Sequence, residues 1–245
     1  SFRHAYEILA EGGKLAYSAP ETGRVKVSTV PRLENPLDMY AEGGALLDQV
    51  AEYYHQRLLK STQALDYLRM RGLCHEQAIK TFKLGFADRS LGLRLPNANR
   101  HNGNFIRQRL RDLGVMRDSG HEFFTGALIV PVPGVDGHTQ EMYGRKISIQ
   151  ANRRKYPVHQ YLPGPHGGVW NPDAFEGSEL VLCEAPLDAL TLWVNGIRNV
   201  TFTYGTNGLT EELFNAVRER NIKRVILAYD ADDAGNRAAI KHAER

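Results

Sequence analysis

Cysteine is scarce in this chain, which has only Cys74 and Cys183 among its 245 residues. These two residues cannot supply a disulfide framework or a cysteine-rich zinc site. Cys74 and the neighbouring His75 lie where a helical pattern begins, so capping and packing explain them without a metal. Long apolar runs are also missing: none approaches the roughly 18 residues of a membrane span, and the chain starts without the apolar middle of a secretory signal. We therefore expect an intracellular, cytoplasmic protein with no membrane partner.

Net charge is small as well, at +3 from 31 Lys and Arg against 28 Asp and Glu. The bulk balance therefore does not decide whether nucleic acid is a partner, and local clusters of charge are more informative. The length and the hydrophobic share of 42% allow one large domain or two small ones. The chain starts with Ser rather than Met and stops within a helical pattern, so we expect a fragment of a longer protein.

Helical patterns dominate the first part of the chain. Residues 2–10 have the pattern of the end of a helix, and residues 18–36, which contain several Pro and Ser, predict an extended linker. A helical period of apolar residues returns from Gly44, and further helices are predicted after Ser61, which can cap one, and from His75. The head of the chain is therefore predicted to be helical.

Strand patterns replace the helical ones farther along. Between Phe123 and Ile149, two strand-like runs flank a turn signal at residues 135–137, which predicts a hairpin or a longer meander. Residues 150–177 are rich in Gly, Pro and Asn and predict a loop. From Glu179 on, short apolar runs alternate three times with amphipathic ones. This alternation predicts a parallel sheet covered by helices, with its functional edge at the carboxyl ends of the strands.

Carboxylates follow the first and third of these strands. Glu184 ends the first strand, and Asp230 and Asp232 end the third, which is apolar from Val225 to Tyr229 and therefore predicted to be buried. If the two strands are neighbours, the three carboxylates converge on one edge. Two carboxylates about 5 Å apart repel each other by on the order of 3 kcal/mol at an effective dielectric near 20, so a cation should offset the repulsion. Mg²⁺ suits such a cluster, and two such ions can clamp a phosphoryl transfer.

Helix capping is a second interpretation of these acids, because Asp favours the N-cap and the first helical turn. Capping accounts for Asp233, but it does not explain Asp230, which precedes the helix. We therefore predict that Asp230 and Asp232 bind metal. Asp188 lies two residues after Pro186, a residue favoured at the first helical position. There it either stabilises the helix, by about 0.3 to 1 kcal/mol, or assists the metal, and the sequence leaves both roles open.

The densest basic stretch precedes the acidic strands directly. Its members are Arg145, Lys146, Arg153, Arg154 and Lys155. A run of charge is usually a solvated face. However, an enzyme that brings a polyanionic template and a triphosphate to a negative site needs cations alongside, so we predict phosphate contacts for this stretch.

Taken in order, the acidic motifs resemble the TOPRIM domain that DnaG-type primases, topoisomerases and some nucleases share. The resemblance is carried by Glu184 at a strand end, Asp188 four residues later, the turn YGTNG after the second strand and DADDAG after the third. Upstream, ALDYLRMRGLCHEQAIKTFKLGFA is similar to the helical beginning of the primase core, and GALIVPVPGVDGHTQEMYGRKI to its next part. SFRHAYEIL resembles the helix that follows the zinc-binding module of these primases.

This resemblance implies an α/β fold in which a TOPRIM parallel sheet flanked by helices is preceded by an α+β primase-core subdomain. Residues 1–38 would be the end of a preceding module and a linker. Residues 39–177 would form the primase-core-like N-terminal subdomain, helical and then β. Residues 178–245 would be a TOPRIM subdomain truncated at its C-terminal end. Zinc is expected only in a module upstream of this chain.

The same resemblance implies the activity of a DNA primase, a nucleotidyltransferase of DNA replication. Such an enzyme makes an RNA primer from nucleoside triphosphates on a single-stranded DNA template, and a replicative helicase is a further expected partner. One or two Mg²⁺ or Mn²⁺ ions would be held by Glu184, Asp230 and Asp232, with Asp188 completing the catalytic set. Template or triphosphate would be held by Arg145, Lys146, Arg154 and Lys155.

Two positions depart from the family's pattern. Primases of this type commonly place Arg just before the apolar run that holds the Pro, where this chain has Ala127. Their Lys-Tyr-Leu segment has two counterparts here, Lys155-Tyr156 and Gln160-Tyr161.

Other classes of protein share part of the pattern. A TOPRIM nuclease or topoisomerase would use the same metal site to cut phosphodiesters, and a nucleic-acid-binding module would keep the site without catalysis. An aspartyl-phosphate receiver or phosphatase also places Asp-x-Asp after a strand, but it does not explain the upstream half.

Overall fold

The computed structural model describes residues 2–12, 33–148, 157–206 and 208–244. Within these ranges the chain forms a helical head, a four-stranded antiparallel sheet and a three-stranded parallel sheet. The mixed α/β fold predicted from the sequence is thus present. No helix in the described ranges is long and apolar enough to cross a membrane. The extended linker predicted for residues 18–36 falls outside the described residues, except for its last four.

Six helices lie in the described part before the antiparallel sheet is complete. They are α1 (Phe2–Ala10), α2 (Gly43–Leu59), α3 (Thr62–Met70), α4 (Glu76–Thr81), α5 (Leu91–Arg94) and α6 (His101–Asp112). Their caps follow from the sequence: the Ser61 hydroxyl accepts the N–H of Ala64 at 3.2 Å, and Nδ1 of His75 accepts that of Ala78 at 3.3 Å. The capping role predicted for His75 is confirmed.

The antiparallel sheet has the strand order β1-β2-β3-β4. Its strands are β1 (Gly85–Ala87), β2 (Ala127–Pro133), β3 (Thr139–Lys146) and β4 (His159–Tyr161). The predicted hairpin is confirmed as β2 and β3, which pair from Ala127↔Lys146 onward. The prediction of a loop for residues 150–177 is wrong in part, because β4 adds to β3 and a 3₁₀ turn spans Pro172–Phe175.

Both faces of the antiparallel sheet are packed, since side chains alternate along each strand. On β2, Leu128 and Val130 join a core that includes α3, α4 and the parallel sheet, whereas Ala127 and Ile129 pack with α2 and α6. The same alternation places Tyr143 of β3 on the face toward the parallel sheet. Two cores therefore lie on opposite sides of one sheet.

The parallel sheet has the strand order β6-β5-β7 and is covered by helices. Its elements are β5 (Glu179–Cys183), α7 (Pro186–Val194), β6 (Val200–Phe202), α8 (Glu211–Glu219), β7 (Arg224–Ala228) and α9 (Asp233–Ala243). The predicted strand–helix alternation is confirmed, and β5 and β7 are neighbours, with Cys183 opposite Ala228. The expectation that the third strand is buried is wrong. Within the described chain β7 is an edge strand, and Val225 and Ile226 are each 38% exposed.

Residues 162–171, here called the connecting segment, join the two sheets. On the antiparallel side, the buried carboxylate of Glu141 on β3 accepts a hydrogen bond from Nδ1 of His166 at 3.0 Å. On the parallel side, the amide of Asn171 donates to the carbonyl of Val200 at 2.8 Å. These bonds fix how the two sheets face each other, and thereby which side chains of β3 reach the edge of the parallel sheet.

Candidate metal and nucleotide site

Two neighbouring strands bring the predicted acids to one edge of the parallel sheet. Glu184 directly follows β5, and Asp230 lies two residues beyond the end of β7. Asp232 precedes the first residue of α9, and Asp188 lies in the first turn of α7, whose first residue is Pro186. Because carboxyl ends of parallel strands share an edge, four carboxylates from two strand–helix connections meet there.

The other three carboxylates lie close enough to Glu184 to raise its pKa. Burial raises that pKa first, and the charges of Asp230, Asp232 and Asp188 raise it further. The backbone N–H of Asp230 donates to the Glu184 carboxylate and opposes part of the increase. The edge is therefore a concentration of mutually repelling negative charge, as the sequence predicted.

Asp188 lies both at the start of α7 and beside the other acids, so its position agrees with each of the two roles that the sequence left open. Although Asp188 is exposed, desolvation is the first cause of its raised pKa, and the charge of Asp230 is the second. Two guanidinium groups, those of Arg145 and Arg71, lower the same pKa. The N–H of Ala185 also donates to its carboxylate, as in a capping box. Asp188 therefore stabilises the start of α7 and also belongs to the charged edge.

One of the residues predicted to bind metal caps α9. Asp232 is the N-cap, and its Oδ1 accepts the N–H of Gly235 at 2.8 Å. Asp233 lies in the first helical turn, as the capping interpretation allowed, but that interpretation did not identify Asp232 as the cap. Gly235 lies directly against the backbone carbonyl of Asp230, where a Cβ would clash. The cap leaves Oδ2 of Asp232 for another partner.

The donors at this edge are all carboxylate oxygens, which suit a hard cation. Among the described residues, no three His, Cys, Asp or Glu side chains form a ready-made cluster for an ion in their present orientations. Mg²⁺ commonly takes one or two carboxylates and completes its shell with water and substrate phosphates.

The predicted cations do not all reach this edge. Arg145 shares the face of Tyr143 on β3 and lies close enough to Asp188 to lower its pKa. Lys146, the next residue of the strand, points to the opposite face. Arg154 and Lys155 lie outside the described residues.

Lys146 belongs to a second cationic group. Its Nζ donates to the carbonyl of Thr125. Burial lowers the pKa of Lys146 first, and the charges of Arg117 and Arg89 lower it further. Three cations thus lie near one another on the face of the antiparallel sheet that is turned away from the carboxylates.

Arg71 was missed by the sequence reasoning. It follows the last residue of α3, is exposed, and helps Arg145 to lower the pKa of Asp188. A signal was present, because Arg71 is the Arg of the RGL stretch that carries the resemblance to primases. No local pattern, however, shows that the end of α3 faces the parallel sheet.

Two family models match the chain along its length. The model for the N-terminal domain of the DNA primase catalytic core matches residues 53–159, and a Toprim-like model matches residues 181–245. The fold is therefore that of a TOPRIM protein in which a primase-type subdomain precedes the parallel sheet.

Curated proteins and solved structures agree with these matches. The DNA primase of Aquifex aeolicus is 30% identical over 211 residues, which are 78% of this chain and 39% of that protein. The DNA primase of Haemophilus influenzae is 26% identical over 212 residues, 81% of this chain and 34% of that protein. A solved DnaG primase catalytic domain bound to ssDNA has a TM-score of 0.67 at 26% identity, over 82% of this chain and 67% of that one.

These matches show a DnaG-type primase catalytic core, in which its N-terminal domain is followed by a Toprim-like domain. The chain spans between 34% and 39% of the length of the two curated relatives.

Proposed function

We propose that this chain is the nucleotidyl-transfer core of a DNA primase, which synthesises an RNA primer from nucleoside triphosphates on single-stranded DNA. One observation carries the proposal. Glu184, Asp230 and Asp232 come together after two neighbouring parallel strands, with Arg145 and Arg71 facing the same edge. An edge with carboxylates for a cation and guanidinium groups for phosphate suits the transfer of a nucleotidyl group.

In this proposal the acidic side chains hold one or two divalent cations, Mg²⁺ or Mn²⁺. Bound there, the cation would neutralise the triphosphate and stabilise charge on the attacking and leaving oxygens. Glu184 and Asp230 offer carboxylate oxygens, and Asp232 offers Oδ2 because Oδ1 caps α9. Asp188 adds negative charge at the side where the two arginines lie.

The arginines bind the triphosphate in this scheme, because guanidinium groups match phosphate oxygens with paired N–H donors. The second cationic group, Lys146 with Arg89 and Arg117, is assigned to the backbone of the template strand. Support for a single-stranded template comes from the similar primase domain whose structure contains ssDNA. Arg154 and Lys155 stay predicted phosphate contacts, and a replicative helicase stays a predicted partner.

A labelled-nucleotide assay tests the proposal. The protein that contains this chain is incubated with single-stranded DNA, labelled nucleoside triphosphates and Mg²⁺ or Mn²⁺, beside an Asp230→Asn variant. We expect new labelled oligonucleotides from the unaltered protein and a loss of orders of magnitude in the variant. A shortened template would instead show a nuclease, and DNA binding without either product would show a binding module.

A further inference from the structure

One aromatic side chain touches both cations that face Asp188. The hydroxyl of Tyr67 on α3 accepts a hydrogen bond from Nε of Arg145 at 3.1 Å. The guanidinium carbon of Arg71 lies over the ring of the same tyrosine, 5.4 Å from its centroid. Two arginines from different parts of the chain are thus held by one residue.

Arg145 needs such support because it reaches the acidic edge from another sheet. It is half-buried on β3, while the carboxylates belong to segments around β5 and β7. A long arginine side chain loses considerable rotamer freedom when it is fixed. The hydrogen bonds from Arg145 to Tyr67 and to Tyr143 restrict that freedom before any ligand arrives.

Arg71 is held in a different way. Its side chain is exposed, and its backbone forms the C-cap of α3. The ring of Tyr67 attracts the face of its guanidinium group, and this contact uses none of the N–H donors. The hydrogen bonds of Arg145 to Tyr67 and Tyr143 use two of its five N–H donors. Most donors of both groups therefore stay available for phosphate oxygens.

We propose that Tyr67 is a positioning residue for the triphosphate: it fixes the guanidinium groups of Arg145 and Arg71 toward the carboxylate edge. The inference rests on the proposed function, since it assigns those two arginines to the phosphates. Beyond the proposed function, it names Tyr67 as the side chain that orients the two arginines, and it gives the two parts of Tyr67 different roles. The hydroxyl acts on Arg145, and the ring acts on Arg71.

Two substitutions separate these contacts. Tyr67→Phe removes the hydroxyl and keeps the ring, whereas Tyr67→Leu removes both. Equilibrium binding of Mg²⁺·ATP, measured by calorimetry without template, should weaken at least about 10-fold in the first variant, the loss expected for a hydrogen bond to a charged group. It should weaken by a further several-fold in the second, because the cation–π contact is lost as well.

The chain contains a matched control. Tyr53 on α2 makes the same two contacts with Arg94, whose Nε donates to its hydroxyl at 3.0 Å and whose guanidinium carbon lies 5.7 Å from its ring centroid. That arginine is paired with Glu7 and Glu11 rather than directed at the acidic edge. Tyr53→Phe should therefore leave ATP affinity unchanged, although it removes an equivalent bond.

A double-mutant cycle excludes a merely structural role. If Tyr67 acts through Arg145, then Tyr67→Phe should have no further effect on ATP affinity in an Arg145→Ala background. Additive losses would overturn the inference. So would unchanged ATP affinity in Tyr67→Phe together with a lowered melting temperature in Tyr67→Leu.

The two proposals fail in distinguishable ways. The primase activity would be rejected, and the role of Tyr67 kept, if the ATP affinities are as expected for the double-mutant cycle but the unaltered protein makes no primer. Primer synthesis by Tyr67→Phe with an unchanged KM for ATP would reject the role of Tyr67 and keep the activity.

Discussion

Glu122 is expected to make this protein less stable as the pH rises from about 4.5 to about 7. Its side chain is 5% exposed and lies under the start of α5. The Tyr54 hydroxyl donates to one carboxylate oxygen at 3.3 Å and the N–H of Gly92 to the other at 3.5 Å. These long bonds do not compensate for desolvation, which is the first cause of a rise in its pKa from 4.5 to about 7.

The sign and size of the effect follow from this shift. Between pH 4.5 and about 7, the folded chain holds a proton on Glu122 that the unfolded chain has released, so the free energy of unfolding falls as the pH rises. At about 1.4 kcal/mol for each pH unit, the loss is on the order of 3 kcal/mol once the pH exceeds the folded pKa.

Glu122→Gln removes this titration while keeping the shape of the side chain. Urea unfolding at a series of pH values from 5 to 8, with EDTA present, should show the variant gaining roughly 2 kcal/mol on the original protein across that range. Glu219→Gln, at an exposed position at the end of α8, serves as the control and should follow the original protein. Parallel curves for the original protein and Glu122→Gln would refute the reasoning.

Three further predictions concern the acidic edge and the second cationic group. Asp232→Asn should lower Mg²⁺-dependent primer synthesis by orders of magnitude while the melting temperature in EDTA stays equal or rises, because Asn caps about as well as Asp and the substitution relieves repulsion. Full synthesis by that variant would remove Asp232 from the metal site. Gly235→Ala should lower the melting temperature by several degrees, since its Cβ would clash with the Asp230 carbonyl, and an unchanged melt would contradict that packing. Lys146→Ala should reduce the slope of log affinity for single-stranded DNA against log salt by about one. An unaltered slope would show that Lys146 does not contact a DNA phosphate.

Local signals in the sequence predicted much of the fold. The caps at Ser61 and His75, the hairpin turn at residues 135–137 and the three strand–helix repeats each depend on residues that are close in sequence. The convergence of Glu184 with Asp230 needed one further assumption, that β5 and β7 are neighbours, and the structure confirms it.

The features that the sequence did not reveal depend on tertiary contacts. β4 has three residues and no alternation, so it is recognisable only by its pairing with β3. α6 is mostly polar, and Ile106 and Leu110 are its large buried side chains. Arg71 joins the acidic edge because of where α3 lies. Lys146 is the exception, since the period of two along a strand already places it opposite Arg145.

The candidate site combines charged side chains from two different sheets, so it is complete only when the two sheets are docked. Arg145 belongs to β3, while Glu184 and Asp230 follow strands of the other sheet, and the connecting segment holds these two units together. A triphosphate that contacts both units acts as a cross-link, so its binding free energy adds to the free energy of their docking. We expect saturating nucleotide to raise the melting temperature of the chain, because it would bind the docked arrangement and not the unfolded chain. A chain whose sheets have not yet docked would lack the arginines beside the carboxylates, so binding of nucleotide would also report that the two sheets have docked.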